Sequence, residues 1–269
     1  MPLGDDREAP GESVPAPAGR VARAVRSVGA LLSGRRVVSA AVGPAAPDAE
    51  TARLPAAAAT PGVVTAAKVP DKPRADVEMT AIVRFIEEMS RIPDPKVVEL
   101  GTRRQASQER TRHSVWVPHA REYVGVDYEP GDDVDVVADA HELSKHFAAE
   151  SVDGVVACSI FEHIKYPWIA TAEIAKILKV GGLAFIHTHQ TFALHAHPHD
   201  YWRFSMEGLA ALFPVTLGLE VLSCHYQYPC RIVTPDDPLQ ARNPSYLNVC
   251  LLARKVGPAP EAFVPDFGR

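Results

Sequence analysis

The sequence predicts an α/β fold: a mostly parallel, seven-stranded sheet with an antiparallel last strand and helices on both faces. Three observations predict it. Five short, Val-rich segments between residues 96 and 189 are nearly continuous in hydrophobicity, as strands buried on both faces of a parallel sheet must be. Helical stretches separate several of them, the alternation that builds parallel crossovers. Two longer apolar segments then follow with only a loop between them, the pattern of an antiparallel pair closing one edge.

The elements follow in order along the 269 residues. Residues 1–73 are dense in Ala, Pro, Gly and Val and nearly without aromatics. Such a chain buries too little to offset its ordering entropy, so this stretch is expected to be a disordered tail. Inside it, "RVARAVRSVGALLSGRR" (20–36) carries five arginines and no acid. It reads either as a basic amphipathic helix that touches a membrane surface or a partner, or as a transient helix in a solvated tail. A globular domain is expected over 74–256, with 257–269 as a C-terminal tail. In "ADVEMTAIVRFIEEMSRI", Met79, Ile82, Val83, Ile86 and Met89 fall at helical spacing, and "PDP" (93–95) ends the helix. Strands are predicted at "KVVEL" (96–100), "EYVGVD" (122–127), "VDVVAD" (134–139), "DGVVACS" (153–159), "GLAFIHTH" (182–189), "EVLSCHYQY" (220–228) and "YLNVCLLARK" (246–255). Helices are predicted near 141–149, 168–178 and 206–213.

Bulk composition narrows the function. The net charge of −5 disfavours a life on nucleic acid or anionic membrane. No apolar run approaches the ~18–20 residues of a membrane span. The acidic start "MPLGDDREAP" is unlike the basic start of a signal peptide. Cys158, Cys224, Cys230 and Cys250 form no C-x-x-C pair, so they are expected to be free thiols in a reducing, cytoplasmic setting. There is no G-x-G-x-x-G, which argues against a nicotinamide-dependent oxidoreductase, and no phosphate-loop motif.

In a doubly wound sheet, ligands bind outside the carboxyl ends of the strands. The first strand delivers Glu99, Gly101, Thr102 and Arg103 to that edge, and the second delivers Asp127. The third delivers Asp139, Ala140 and His141; the fourth delivers Ser159, Phe161, Glu162 and His163. The fifth runs into "HTHQTFALHAHPHDYWRFS" (187–205). Asp127 reads either as a carboxylate for the two hydroxyls of a ribose or as a turn residue before "EPG". Gly101 either admits a ligand close to the backbone or makes a tight turn.

Taken together, "VVELGTR", "YVGVDYEPGDDVDVVADAHEL", "VDGVVACSIFEHIKYPW", "EIAKILKVGGLAFIHTHQTF" and "HAHPHDYWRFSMEGLAALF" resemble the class I S-adenosylmethionine-dependent methyltransferases, in a type 11-like branch whose fifth strand is followed by an HPHDYWRFS signature. The likeness spans about 95–255. It implies the Rossmann-like class I methyltransferase fold, with S-adenosylmethionine as cofactor. It also implies that Glu99 and Gly101 lie against the methionine part, Asp127 on the ribose hydroxyls, and Asp139, Ala140 and His141 around the adenine. Ser159 would sit near the cofactor. The first motif keeps one glycine, followed by Arg103 and Arg104, where the commoner family form is D-x-G-x-G-x-G.

The histidine run has three readings. As a metal site it would use His187 and His189, which share a strand face, with His195, His197 and His199. "QTFAL" separates the two groups, so no metal is expected. As an acceptor pocket, it offers His199 beside Asp200 as a base for a hydroxyl proton, with His163 as the rival. Arg203 would bind an anionic group, and Tyr201, Trp202 and Phe204 would enclose the acceptor. As structure, Asp200 would pair with Arg203, and Ser205 with Glu207 nearby would cap a helix. The expected function is methylation of a small molecule, a sugar or secondary metabolite, on oxygen, with no nucleic-acid partner and no membrane span. The alternative is a non-catalytic cofactor-binding or interaction protein on the same fold.

Overall fold

A computed structural model describes residues 80–105, 108, 111–233 and 244–266. The predicted tail 1–73, its basic stretch and Met79 lie outside them. Seven strands form one sheet: β1 (Lys96–Leu100), β2 (Glu122–Asp127), β3 (Val136–Val137), β4 (Val152–Cys158), β5 (Leu178–His189), β6 (Leu219–Cys230) and β7 (Ser245–Lys255), in the order β3-β2-β1-β4-β5-β7-β6. The pairs β1–β2, β1–β4, β2–β3 and β4–β5 are parallel, and β7 runs antiparallel to both β5 and β6. The order reverses at β1, where β2 lies on one side and β4 on the other. That is the topological switch point, and it sets where a ligand belongs.

Strand side chains alternate between two cores. Val97, Val156, Phe185 and Leu252 face one; Val98, Val155, Ala184 and Leu251 face the other. Against the first packs α1 (Ala81–Met89), which buries Ala81, Ile82, Phe85, Ile86 and Met89. Phe185 sits between Phe85 (5.8 Å between ring centres) and an edge-on Trp116 (5.7 Å). Burying each such ring is worth roughly 1.5–3 kcal/mol. Against the second core pack α2 (Pro167–Ile177) and the segment carrying α3 (Met206–Ala210). Pro167 starts α2 where its missing N–H costs nothing.

β5 starts at Leu178, four residues before its predicted start, and three elements are shorter than predicted. The third strand shrinks to two residues, because Asp135 turns its carboxylate onto the Gly125 N–H (2.8 Å) and Asp139 already caps the next turn. The predicted helix 141–149 is a 3-10 segment, Ala140–Lys145, interrupted by Glu142 at φ −138°. The predicted helix 206–213 stops at Ala210, where Leu212 and Phe213 wind into i→i−3 bonds before Pro214. Residues 257–266, expected as tail, instead lie on the domain: Val256 and Gly257 donate to Gly218 O, and Ala259 and Phe263 pack on the core. Among the described residues no helix is long and apolar enough to cross a membrane.

Candidate functional site

The carboxyl ends of β1, β2 and β4 open into a cavity of about 710 Å³, within the ~300–1,000 Å³ range of small-molecule sites. Each wall arises from how its strand ends. After β1 the chain turns at Gly101, whose φ of +75° suits a residue without a side chain. A Cβ there would lie 2.8 Å from Ile160 Cδ1, so the glycine lets the Ile160 side chain close against the backbone at the cavity wall. Glu99, just before it, is 2% exposed. Its carboxylate is taken up by the protein: His113 Nδ1 lies 2.5 Å from Oε1, while the His113 N–H (2.8 Å) and Tyr123 hydroxyl (2.6 Å) donate to Oε2. Burial and the adjoining Glu99 charge push the Tyr123 hydroxyl pKa well above its ordinary value.

Asp127 ends β2. It receives the Arg103 N–H on Oδ2 (3.1 Å) and the Glu129 N–H on Oδ1 (3.1 Å). It is thus a turn residue and a cavity-wall carboxylate together. Each oxygen accepts one backbone bond and keeps acceptor capacity for a ligand hydroxyl. Asp139 commits Oδ1 to the His141 N–H (2.9 Å) and faces His141 Nδ1 at 2.5 Å; His141 Nε2 accepts the Tyr166 N–H at 3.2 Å. Ser159 follows β4 with φ +54° and donates its N–H to His187 O at 2.7 Å. Asp139, Ala140, His141 and Ser159 all line the cavity.

The far wall comes from His163, Ala196, His199 and Tyr201. His163 Nδ1 donates to His199 O at 2.7 Å, and its Nε2 faces the Glu162 carboxylate at 3.8 Å. His199 Nδ1 lies 3.0 Å from the Tyr201 hydroxyl, and Tyr128 meets the imidazole edge-on.

Asp200 and Arg203, named as catalytic candidates, are not on the cavity wall. They hold each other in a bidentate pair (2.6 and 2.9 Å) with the Asp200 side chain only 1% exposed. Arg203 also donates to Phe192 O, Ala193 O and Trp202 O, and the His195 N–H donates to Asp200. A guanidinium so engaged ties down residues 192–203 rather than receiving an anionic ligand. Its hydrogen bonds hold the Asp200 carboxyl far below the usual carboxylate range. Trp202 donates Nε1 to Ile164 O (3.0 Å) and packs with Phe204 against the core. Ser205 caps α3 by accepting the Gly208 N–H at 3.0 Å.

Several lining residues escaped sequence reasoning: His113, Thr111, Tyr128 and Tyr166. Tyr128 directly follows Asp127, and Tyr166 lies three residues beyond His163, so proximity to a strand end would have found both. His113 lies between strands, where no pattern marks it.

Residues 108–186 match the family model described as a methyltransferase domain. A comparison with curated proteins finds no match. Among solved structures, the chain is similar to an S-adenosylmethionine-dependent methyltransferase from Archaeoglobus fulgidus, at 16% identity and TM-score 0.46, covering 64% of this chain and 90% of that one. It is also similar to the 1,6-didemethyltoxoflavin N1-methyltransferase of Burkholderia thailandensis, at 15% identity and TM-score 0.45, covering 93% and 95%. A methyltransferase from Mesorhizobium loti matches at 13% identity and TM-score 0.44, covering 65% and 98%. The family-model match over residues 108–186 runs from before β2 into β5 of the seven-stranded sheet, so this part of the chain is similar to a methyltransferase domain.

Proposed function

We propose that this domain methylates a hydroxyl oxygen of a small molecule, a sugar or secondary metabolite, held between His163, His199 and Tyr201. The observation that carries the reading is the His199 imidazole on the cavity wall, with Nδ1 on the Tyr201 hydroxyl. That contact orients the ring and leaves Nε2 for a bound acceptor. His163 is the weaker base, because its Nε2 is turned toward Glu162.

The cavity suits the cofactor on its own features. Gly101 brings bare backbone to the cavity wall, and the Asp127 carboxylate retains acceptor capacity at the end of β2. Asp127 holds the ribose hydroxyls, and Gly101 and the Glu99 wall border the methionine part. Asp139, Ala140 and His141 flank the adenine, and Ser159 lies beside the reacting end. When bound, the cofactor supplies an electrophilic methyl group. His199 would take the proton of the acceptor hydroxyl as the methyl group is released from the donor's sulfur to that oxygen, a role worth ~10²–10⁴ in rate for a well-placed base. The Asp200–Arg203 pair keeps the loop, and hence His199, in place. A net charge of −5 favours a small acceptor over nucleic acid, and four free cysteines support a cytoplasmic setting.

The test is methyl transfer from labelled S-adenosylmethionine to panels of hydroxylated small molecules, amines, proteins and RNA. The expected product is a methyl ether, with His199→Ala lowering kcat ~100-fold and leaving S-adenosylhomocysteine affinity unchanged. Labelling of RNA or protein instead, or full turnover by the variant, contradicts the proposal.

A further inference from the structure

Behind the far wall, Glu162, His189 and His195 surround His163 with side chains that the transfer reaction does not use. Glu162 is 0% exposed. Its Oε2 accepts the Thr188 hydroxyl at 2.6 Å, but Oε1 has no hydrogen-bond partner among the described residues. A buried carboxylate oxygen in that state is costly. His189 Nε2 lies 3.0 Å from Oε1, close enough for an ion pair yet not aligned for a hydrogen bond.

The imidazoles around Glu162 share one polarity. His163 Nδ1 faces His199 O (2.7 Å), His195 Nδ1 faces Ala193 O (3.0 Å), and His189 Nδ1 faces Asn248 Oδ1 (2.9 Å). Carbonyl oxygens only accept, so each Nδ1 carries the proton, and in the neutral ring each Nε2 is left with a lone pair. This is how metal-ligating histidines are held: the remote N–H donates to a fixed oxygen, which sets the tautomer. Ligand atoms of Glu162, His163 and His195 lie within 4.8 Å of one another, and the His163 and His195 rings are 4.7 Å apart.

We propose that Glu162, His163 and His195 bind one divalent transition-metal cation of the Zn²⁺ class. Two imidazoles and one carboxylate suit Zn²⁺, and the set lacks the oxygen ligands that Mg²⁺ or Ca²⁺ requires. Bonds of ~2.0–2.1 Å to a tetrahedral cation set ligand edges of about 3.3 Å. The 3.8 Å between His163 Nε2 and Glu162 Oε1 therefore needs only a small contraction. Three protein ligands leave a position open, and His163 also lines the cavity, so a bound cation borders it. His189 borders Glu162 Oε1 at 3.0 Å, and its ring is fixed by Asn248.

Tag-free full-length protein, stripped with chelator and titrated with Zn²⁺ by calorimetry, is expected to bind one equivalent. Co²⁺ is expected to give the visible bands of a low-symmetry nitrogen and oxygen site. His195→Ala, whose side chain is partly exposed, is expected to weaken Zn²⁺ binding at least ~100-fold without changing the fold by circular dichroism. Glu162→Gln is expected to do the same where it folds. His197→Ala is the control and is expected to bind as wild type does. Absence of stoichiometric binding overturns the site and leaves a His189 imidazolium as the partner of Glu162. Wild-type affinity in His195→Ala overturns it equally.

Discussion

Replacing Asp127 with Ala removes the carboxylate that ends β2. Its two oxygens now accept the Arg103 and Glu129 N–H groups and, in the proposed complex, two ribose hydroxyls. A hydrogen bond to a charged group contributes ~1.5–3 kcal/mol. Losing two such bonds, with partial replacement by water, costs about 3–4 kcal/mol, and each ~1.4 kcal/mol is tenfold in affinity. Affinity for S-adenosylhomocysteine is therefore expected to fall ~100–1,000-fold by calorimetry. The turn after β2 loses its anchors as well, so Asp127→Asn, which keeps one acceptor oxygen, separates the effects. Its loss is expected to be near tenfold. An Asp127→Ala protein that folds normally and binds within about threefold of wild type refutes the ribose assignment.

Two further outcomes test the supporting structure. Arg203→Ala strands the Asp200 carboxylate, 1% exposed, without its partner. Breaking a buried pair costs about 3 kcal/mol, so the thermal midpoint is expected to drop by roughly 6–12 °C; an unchanged midpoint shows that the pair does not order the loop. Glu173, on α2, would be raised by burial, but the Lys176 ammonium (2.8 Å) and Ser144 N–H (2.7 Å) outweigh this and hold its pKa below the ordinary 4.5. Since the folded-state pKa is the lower one, its stabilisation is complete above pH 4.5 and is lost as pH falls through the folded-state value. Glu173→Gln is expected to lower the melting temperature at pH 7, with the gap closing in acid. A gap that does not narrow as the pH is lowered below 4.5 contradicts the ion-pair account.

The sheet was legible because it rests on long-range burial, which the strand hydrophobicity records directly. Val97 and Val98 face opposite cores, and a run of apolar residues is the only way to write that. Asp127, Gly101 and Ser159 were legible because a strand end fixes their position. The helices at 141–149 and 206–213 were overestimated because Asp139 and Pro214 impose local hydrogen bonding that periodicity ignores. The histidine run misled in a different way. His187 and His189 are held by Asn248, 59 or more residues away, and His195 meets Glu162 and His163 from another strand end. For Arg203 the sequence leaves open both a ligand anchor and a pair with Asp200, three residues away, and the structure shows the pair. Such convergence comes from tertiary packing, so spacing along the chain does not contain it.

In the proposed complex, the cavity at the carboxyl ends of β1, β2 and β4 holds the methyl donor with its sulfur toward His199. A crystal structure of the full chain with S-adenosylhomocysteine tests this most directly. Ribose hydroxyls are expected within hydrogen-bond distance of Asp127, adenine beside Asp139–His141, and the sulfur facing the space bounded by His163, His199 and Tyr201. A ligand bound elsewhere, or one whose sulfur faces away from His199, contradicts it.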